Sequence, residues 1–248
     1  MPKSRLDLLL VSRGLAATRE RARALILAGE VSVNGTSVTK AGTAVDSEAP
    51  VQLKQADHPW VGRGGIKLDH ALNTFSVDVT GRRALDIGAS TGGFTDVLLA
   101  RGAAHVVAID VGENQLDWRL RTDPRVLCLE RVNARYLTAA ALPADHREFD
   151  VVTIDVSFIS LKHILPVVPG LLAPHGRVIA LVKPQFEAGR AEVGSGGIVR
   201  DPGVHTRVVE QVATEAHQVG LVRLAVEASP ITGAEGNREF LMLLAHHD

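Results

Sequence analysis

Hydrophobic positions recur along this chain in two regimes. In the first, Leu6, Leu9 and Leu10 repeat at helical spacing across residues 5–13, and the run stops at Gly14, a residue type that closes helices in the left-handed conformation. A second helical run opens after Thr18, whose hydroxyl suits an N-cap, carries Ala22, Leu25 and Ile26 on one face, and ends at Gly29. Alternating valines then flank Asn34-Gly35, the dipeptide that most strongly favours a tight hairpin because both residues tolerate positive φ. Two short helices and a hairpin predict a small α+β unit over residues 1–56.

Residues 46–62, with Pro50, Pro59, Trp60 and Gly62, read as a linker region, its connecting stretch taken as residues 57–63. The segment 64–248 then follows the second regime. A helix over 64–75 presents Ile66, Leu68, Ala71, Leu72 and Phe75 on its apolar side, with Lys67 off that face. Strand-like runs follow at 83–87, 105–110, 126–130, 149–156, 177–183, 222–228 and 239–245, with helical stretches between most of them. Seven strands alternating with helices predict an α/β fold, a doubly wound Rossmann-like sheet whose ligands sit at the carboxyl ends of its strands.

The residues at those ends carry the candidate chemistry. The stretch RALDIGASTGGFT passes from strand to glycine-rich turn to helix, and Gly88, Gly92 and Gly93 allow a backbone to turn sharply beside a ligand. It is not the dinucleotide fingerprint, because Ser90 stands where the second glycine belongs. Asp110, at the end of the next strand, suits ribose hydroxyls. These residues fit S-adenosylmethionine and NAD alike, and a loop that only packs helix on strand is the alternative. Asn133, Asp155 and Lys183 also follow strands, while Glu239 opens the last one. If that strand runs antiparallel, Glu239 lies beside the ends of the others, and with Lys67 the set comprises two acids and two bases.

Composition narrows the class. At 248 residues and 46% hydrophobic the chain supports a globular core, and no apolar run approaches the ~20 residues of a membrane span. The first residues lack the apolar segment of a leader, so the expected location is the cytoplasm. Cys128 is the single cysteine, which excludes an internal disulfide and a cysteine-based metal cluster and leaves it as a spectator thiol. The net charge of -1 conceals an asymmetry: residues 1–56 carry eight Lys/Arg against five Asp/Glu, the remainder nineteen against twenty-three. A basic front end suits a polyanion.

The order RLDLLLVSRGLAATRERARALILAGEVSVNG resembles the RNA-binding domain first described in ribosomal protein S-four, over about the first 50 residues. That resemblance implies phosphate contacts from Arg5, Arg13, Arg19 and Arg23. The segment 83–245 resembles the FtsJ-like branch of S-adenosylmethionine-dependent methyltransferases, whose Lys-Asp-Lys-Glu tetrad falls on Lys67, Asp155, Lys183 and Glu239. GASTGGFT, DVSFISL, LVKPQFE and SPITGAEGNREF, with the N-terminal domain, resemble the TlyA family, known both as haemolysin A and as rRNA ribose methyltransferase.

The resemblance implies 2′-O-methylation of cytidine in ribosomal RNA of the large subunit, with or without the small one. It implies S-adenosylmethionine held by Gly88, Ser90, Gly92, Gly93, Asp110, Asn133 and Asp155, and no metal. RNA is the expected partner: DNA lacks the 2′-hydroxyl, and no long apolar segment or strongly amphipathic basic helix suits a membrane. In this chain HPWV, with His58 first, replaces the family's Arg-x-Trp-Val linker. The chain ends at Asp248, where some members carry a further helix, which points to the narrower subunit specificity. A non-catalytic RNA-binding assembly factor, a membrane-active cytolysin and an NAD oxidoreductase are the rival classes.

Overall fold

The computed structural model describes residues 2–16, 18–27, 29–53 and 58–247. It divides into two compact units, Met1–Pro59 and Trp60–Asp248.

In the first unit, helices α1 (Leu6–Ser12) and α2 (Arg19–Leu27) pack with two small sheets: β1 (Lys3–Arg5) pairs with β4 (Ala44–Asp46), and β2 (Val31–Val33) lies between β3 (Thr36–Ser37) and β5 (Val51–Leu53). Helix α2 starts where the sequence placed it, with the Arg21 amide donating to Thr18 Oγ1 at 3.1 Å. The hairpin forms at Asn34-Gly35, both at positive φ. Leu6, Leu10, Ala22, Ile26 and Val31 fill a separate core. Two expectations need correction. Residues 51–53, read as linker, form a strand against β2, some twenty positions away. The first helix opens at Leu6, because residues 3–5 are extended along β4. Three-residue strands are too short for alternation to reveal.

The second unit is built on seven strands: β6 (Arg83–Ile87), β7 (His105–Ile109), β8 (Val126–Leu129), β9 (Phe149–Ile154), β10 (Leu172–Val182), β11 (Leu221–Ala228) and β12 (Phe240–His246), in the order β11-β12-β10-β9-β6-β7-β8. Only β12 runs against its neighbours, antiparallel to both β10 and β11. The near-continuous apolar runs of β6, β7, β9, β10 and β12 reflect burial on both faces, whereas the edge strands β8 and β11 are partly exposed. Ala84, Val106, Val151, Leu181 and Leu241 point to one side, under α3 (Gly64–Thr74) and α4 (Gly93–Ala100). Leu85, Val107, Val152, Val178 and Met242 point to the other, where α7 (Pro202–Gln218) packs, beyond the single-turn helices α5 (Trp118–Arg121) and α6 (Pro184–Glu187) in the chain. Each such leucine or valine, fully buried, contributes about 1.5–3 kcal/mol. Strand β10 begins at Leu172, five residues earlier than its pattern suggests, across an irregular register with β9. No helix among the described residues is long and apolar enough to cross a membrane.

Candidate active site

Side-chain alternation and register assemble the site. Successive residues of a strand face opposite sides, so Asp155, two beyond Thr153, Lys183, two beyond Leu181, and Glu239, two before Leu241, all project toward the α3 side of the sheet. Val182 pairs with Phe240, which brings the ends at Lys183 and Glu239 together. Helix α3 supplies Lys67. Lys67 Nζ lies 2.5 Å from Glu239 Oε2, with the residues only 7% and 2% exposed. Lys67, expected off the apolar face, is therefore buried; a buried ammonium is tolerated there because a carboxylate meets it. Lys183 Nζ lies 2.5 Å from Asp155 Oδ1 and donates to Ser157 Oγ at 2.9 Å. The Asp155 contact is an ion pair whose angle lies outside hydrogen-bonding directions. The four residues form two acid–base pairs at the ends of three strands and one helix.

Three cavities meet around them. One of about 460 Å³ is lined by Gly88, Ser90, Asp110, Asn133, Asp155 and Phe158 among others. One of about 420 Å³ holds Lys67, Lys183, Glu239, Gln185 and Phe186, and shares Ser157 and Phe158 with the first. A narrower one, about 180 Å³, joins them past Gly88, Asp155, Ser157 and Lys183. Ser90, standing at the place of the dinucleotide fingerprint's second glycine, has φ +48, in the left-handed region. Its amide donates to Asp110 Oδ2 at 2.8 Å, and the Gly112 amide to Asp110 Oδ1 at 2.7 Å. Each carboxylate oxygen keeps a lone pair for a further donor. At Gly88, φ is +85 and a Cβ would lie 2.3 Å from the Asp155 carbonyl oxygen, so no side chain fits between β6 and β9. Gly92 and Gly93 serve packing more than lining: a Cβ would strike Leu120 at the first and Gly65 at the second. Gly93 borders the narrow passage. Asn133 Oδ1 accepts from the Arg135 amide at 3.1 Å. Phe94, on α4, is buried in the core.

Two residues at this site escaped the sequence reading. Phe158 is 91% exposed, with φ +63, and stands where the two large cavities meet. A positive φ is unusual for an aromatic residue, and here it turns the ring toward solvent; its hydrophobicity in the sequence signals only core. Asp86, behind the glycine turn, is completely buried. It accepts from Thr95 Oγ1 at 2.7 Å and Thr153 Oγ1 at 3.0 Å. Burial pushes its carboxyl up to about 6, against the two threonine hydrogen bonds, and the nearby Asp155 charge adds to the rise.

The FtsJ-like methyltransferase family matches residues 60–246 and the S4 domain matches residues 4–51. The chain belongs to the FtsJ-like methyltransferase family. It is 49% identical to the 16S/23S rRNA (cytidine-2'-O)-methyltransferase TlyA of Mycobacterium tuberculosis, over 98% of this chain and 90% of that one. It is 39% identical to Hemolysin A of Brachyspira hyodysenteriae, over 96% and 98%. A solved structure of a candidate hemolysin from Streptococcus thermophilus superposes with a TM-score of 0.78 at 45% identity, covering 100% of this chain and 90% of that one. An S4 domain before an FtsJ-like methyltransferase is thus the arrangement of the whole chain.

Within the S4 unit the four arginines differ. Asp7, fully buried, receives Arg5 at 2.9 Å and Arg19 at 3.0 Å. The Arg5 hydrogen bond, with Arg19, holds its carboxyl well below the usual carboxylate range. Arg13 donates to the Ala49 carbonyl at 2.7 Å and to that of Ser47, clamping the loop before β5. Arg23 is exposed on α2. The half-buried Cys128 thiol is pushed up by burial.

Proposed function

We propose that the protein methylates the ribose 2′-hydroxyl of cytidine in ribosomal RNA, using S-adenosylmethionine. The observation that carries this reading is the convergence of Lys67, Asp155, Lys183 and Glu239 at the junction of two cavities, each large enough for a nucleoside-sized ligand. The relative at 49% identity bears the name of that reaction.

The residues present fit the cofactor. The side-chain-free approach at Gly88, the left-handed Ser90 and the remaining lone pairs of Asp110 make a cradle for a ribose and a polar chain. Asp110 would hold the ribose hydroxyls, Asn133 the adenine edge, and Gly88, Ser90 and Asp155 the methionine side, on a turn that Gly92 and Gly93 shape by packing. When bound, S-adenosylmethionine supplies an electrophilic methyl group.

The chain's own residues align the nucleophile. Lys183 Nζ, fixed between Asp155 and Ser157, meets the 2′-oxygen; as an amine it takes the proton, and as an ammonium it stabilises the developing alkoxide. Asp155 orients Lys183. Lys67 and Glu239 hold the target ribose, and the exposed Phe158 ring offers a stacking face to its base. Residues 1–56 form the RNA-binding domain, 57–63 the connection and 64–248 the catalytic domain. Arg23, with the half-exposed Arg5 and Arg19, supplies the basic surface for RNA, Arg13 bracing the loop beside it, and a ribosomal substrate places the reaction in the cytoplasm.

Labelled S-adenosylmethionine incubated with isolated large and small ribosomal subunits tests the reading. Label mapping to a cytidine 2′-oxygen supports it. Absence of transfer to either subunit, or label on a base, overturns it.

A further inference from the structure

The chain between α6 (Pro184–Glu187) and α7 holds only short 3-10 turns, yet Val193 and Gly197 from it wall the cavity that contains Lys67, Lys183 and Glu239. Its position is set from the segment that leads into Glu239. Asn237 is 1% exposed, and both ends of its side-chain amide are used on this loop. Oδ1 accepts from the Val199 amide at 3.0 Å, and Nδ2 donates to the Gly197 carbonyl at 2.9 Å. The pair imitates what an adjacent strand offers, one acceptor and one donor to a single stretch of backbone. The Asn237 carbonyl accepts from the Gly233 amide at 2.8 Å, which fixes the clamp itself. His205 Nε2, on α7, lies 2.9 Å from the Val199 carbonyl, so the loop is held from both sides.

The clamped stretch has little side-chain bulk. Gly196 and Gly197 have φ +77 and +72, and a Cβ at Gly196 would meet nothing within 4 Å. Gly197 therefore presents bare backbone to the cavity that also holds the buried Lys67–Glu239 pair. Asn237 lies two residues before Glu239, so one short segment carries both the acid of the site and the anchor of the facing wall.

We infer that Asn237 is a positioning residue for the target nucleoside: through Gly197 and Val199 it sets the wall against which the nucleotide is bound. This rests on the reading of that cavity as the nucleoside site. The amide touches neither the cofactor cradle nor Lys183, so its loss weakens substrate binding and leaves methyl transfer from the bound state largely intact.

Two variants test it with labelled S-adenosylmethionine and isolated ribosomal subunits. Asn237→Asp keeps the size and the Oδ1 acceptor but turns the donor facing the Gly197 carbonyl into an acceptor. Gly196→Ala strains the same loop, with open space around it, and leaves every core contact in place. Both are expected to raise KM for the subunit roughly tenfold with kcat changed by no more than about threefold. Affinity for S-adenosylmethionine, read by calorimetry, stays at the wild-type value. Wild-type KM in both variants overturns the inference, as does a fall in kcat at unchanged KM or a parallel loss of cofactor affinity. Absence of transfer by the unaltered protein instead removes the reading of the cavity, and the inference with it.

Discussion

Lys67 and Glu239 meet at 2.5 Å although 172 positions separate them, and both are buried. Such a pair is held together by mutual need: each charge, left alone, keeps its desolvation cost without its partner. Lys67→Met or Glu239→Leu alone should therefore destabilise the protein by about 3–5 kcal/mol. The double variant should recover most of that loss while remaining inactive. Urea unfolding of the three variants checks this; a double variant no more stable than the worse single one rejects mutual compensation.

Lys183 lies between Asp155 and Ser157 at the passage joining the two cavities. Removing an amine that acts on the attacking oxygen should cost on the order of 10²–10⁴ in rate. Lys183→Ala should therefore lose methyl transfer while binding RNA and S-adenosylmethionine as the wild type does. Single-turnover transfer and equilibrium binding, measured side by side, separate the two effects. A variant that transfers at the wild-type rate ends the assignment.

The seven strands and the glycine turn were legible because each is a local pattern: apolar runs of four or more residues, and glycines beside an acid. The tetrad was legible as residue types at strand ends and through the family resemblance, but its assembly depends on non-local register. Val182 opposite Phe240 carries Lys183 to Glu239, and an antiparallel β12 is a property of the sheet that no single strand displays. Lys67 lay off the apolar face in the helical pattern because its burial is decided by Glu239. Phe158 and Asn237 were illegible for a different reason, since backbone strain and a two-ended amide clamp leave no periodic trace.

Asp86 makes stability depend on pH. Its folded carboxyl is raised to about 6, chiefly by burial, from the ordinary 3.8. Between those values the folded state keeps a proton that the unfolded state has released. The associated stability is fully present below about pH 4 and is lost as pH rises through about 6, leaving a standing cost of about 3 kcal/mol above it. Asp86→Asn, which keeps the size and still bonds to Thr95 and Thr153, should be more stable than wild type at pH 7. The advantage should vanish toward pH 4. Urea midpoints across that range decide the matter; a constant difference at every pH would show that the carboxyl does not titrate as its burial requires.

The arginines of the S4 unit should separate into two groups. Arg13 is committed to the carbonyls of Ala49 and Ser47, whereas Arg23 is exposed, and among the described residues no ion pair or hydrogen bond from its guanidinium is seen. A guanidinium bonded to two loop carbonyls contributes to folding, and an exposed one on a basic helix is available to phosphate. Arg23→Ala should weaken binding to ribosomal RNA and lower the salt dependence of log K by about one counterion's worth, with thermal stability unchanged. Arg13→Ala should lower the melting temperature of the first unit, with any loss of RNA affinity following from that loosening. Binding titrations at several salt concentrations, paired with melting curves, distinguish the two. If Arg23→Ala binds RNA with the wild-type affinity and salt slope, the phosphate contact assigned to it is wrong, and the RNA surface of this unit must lie on another face.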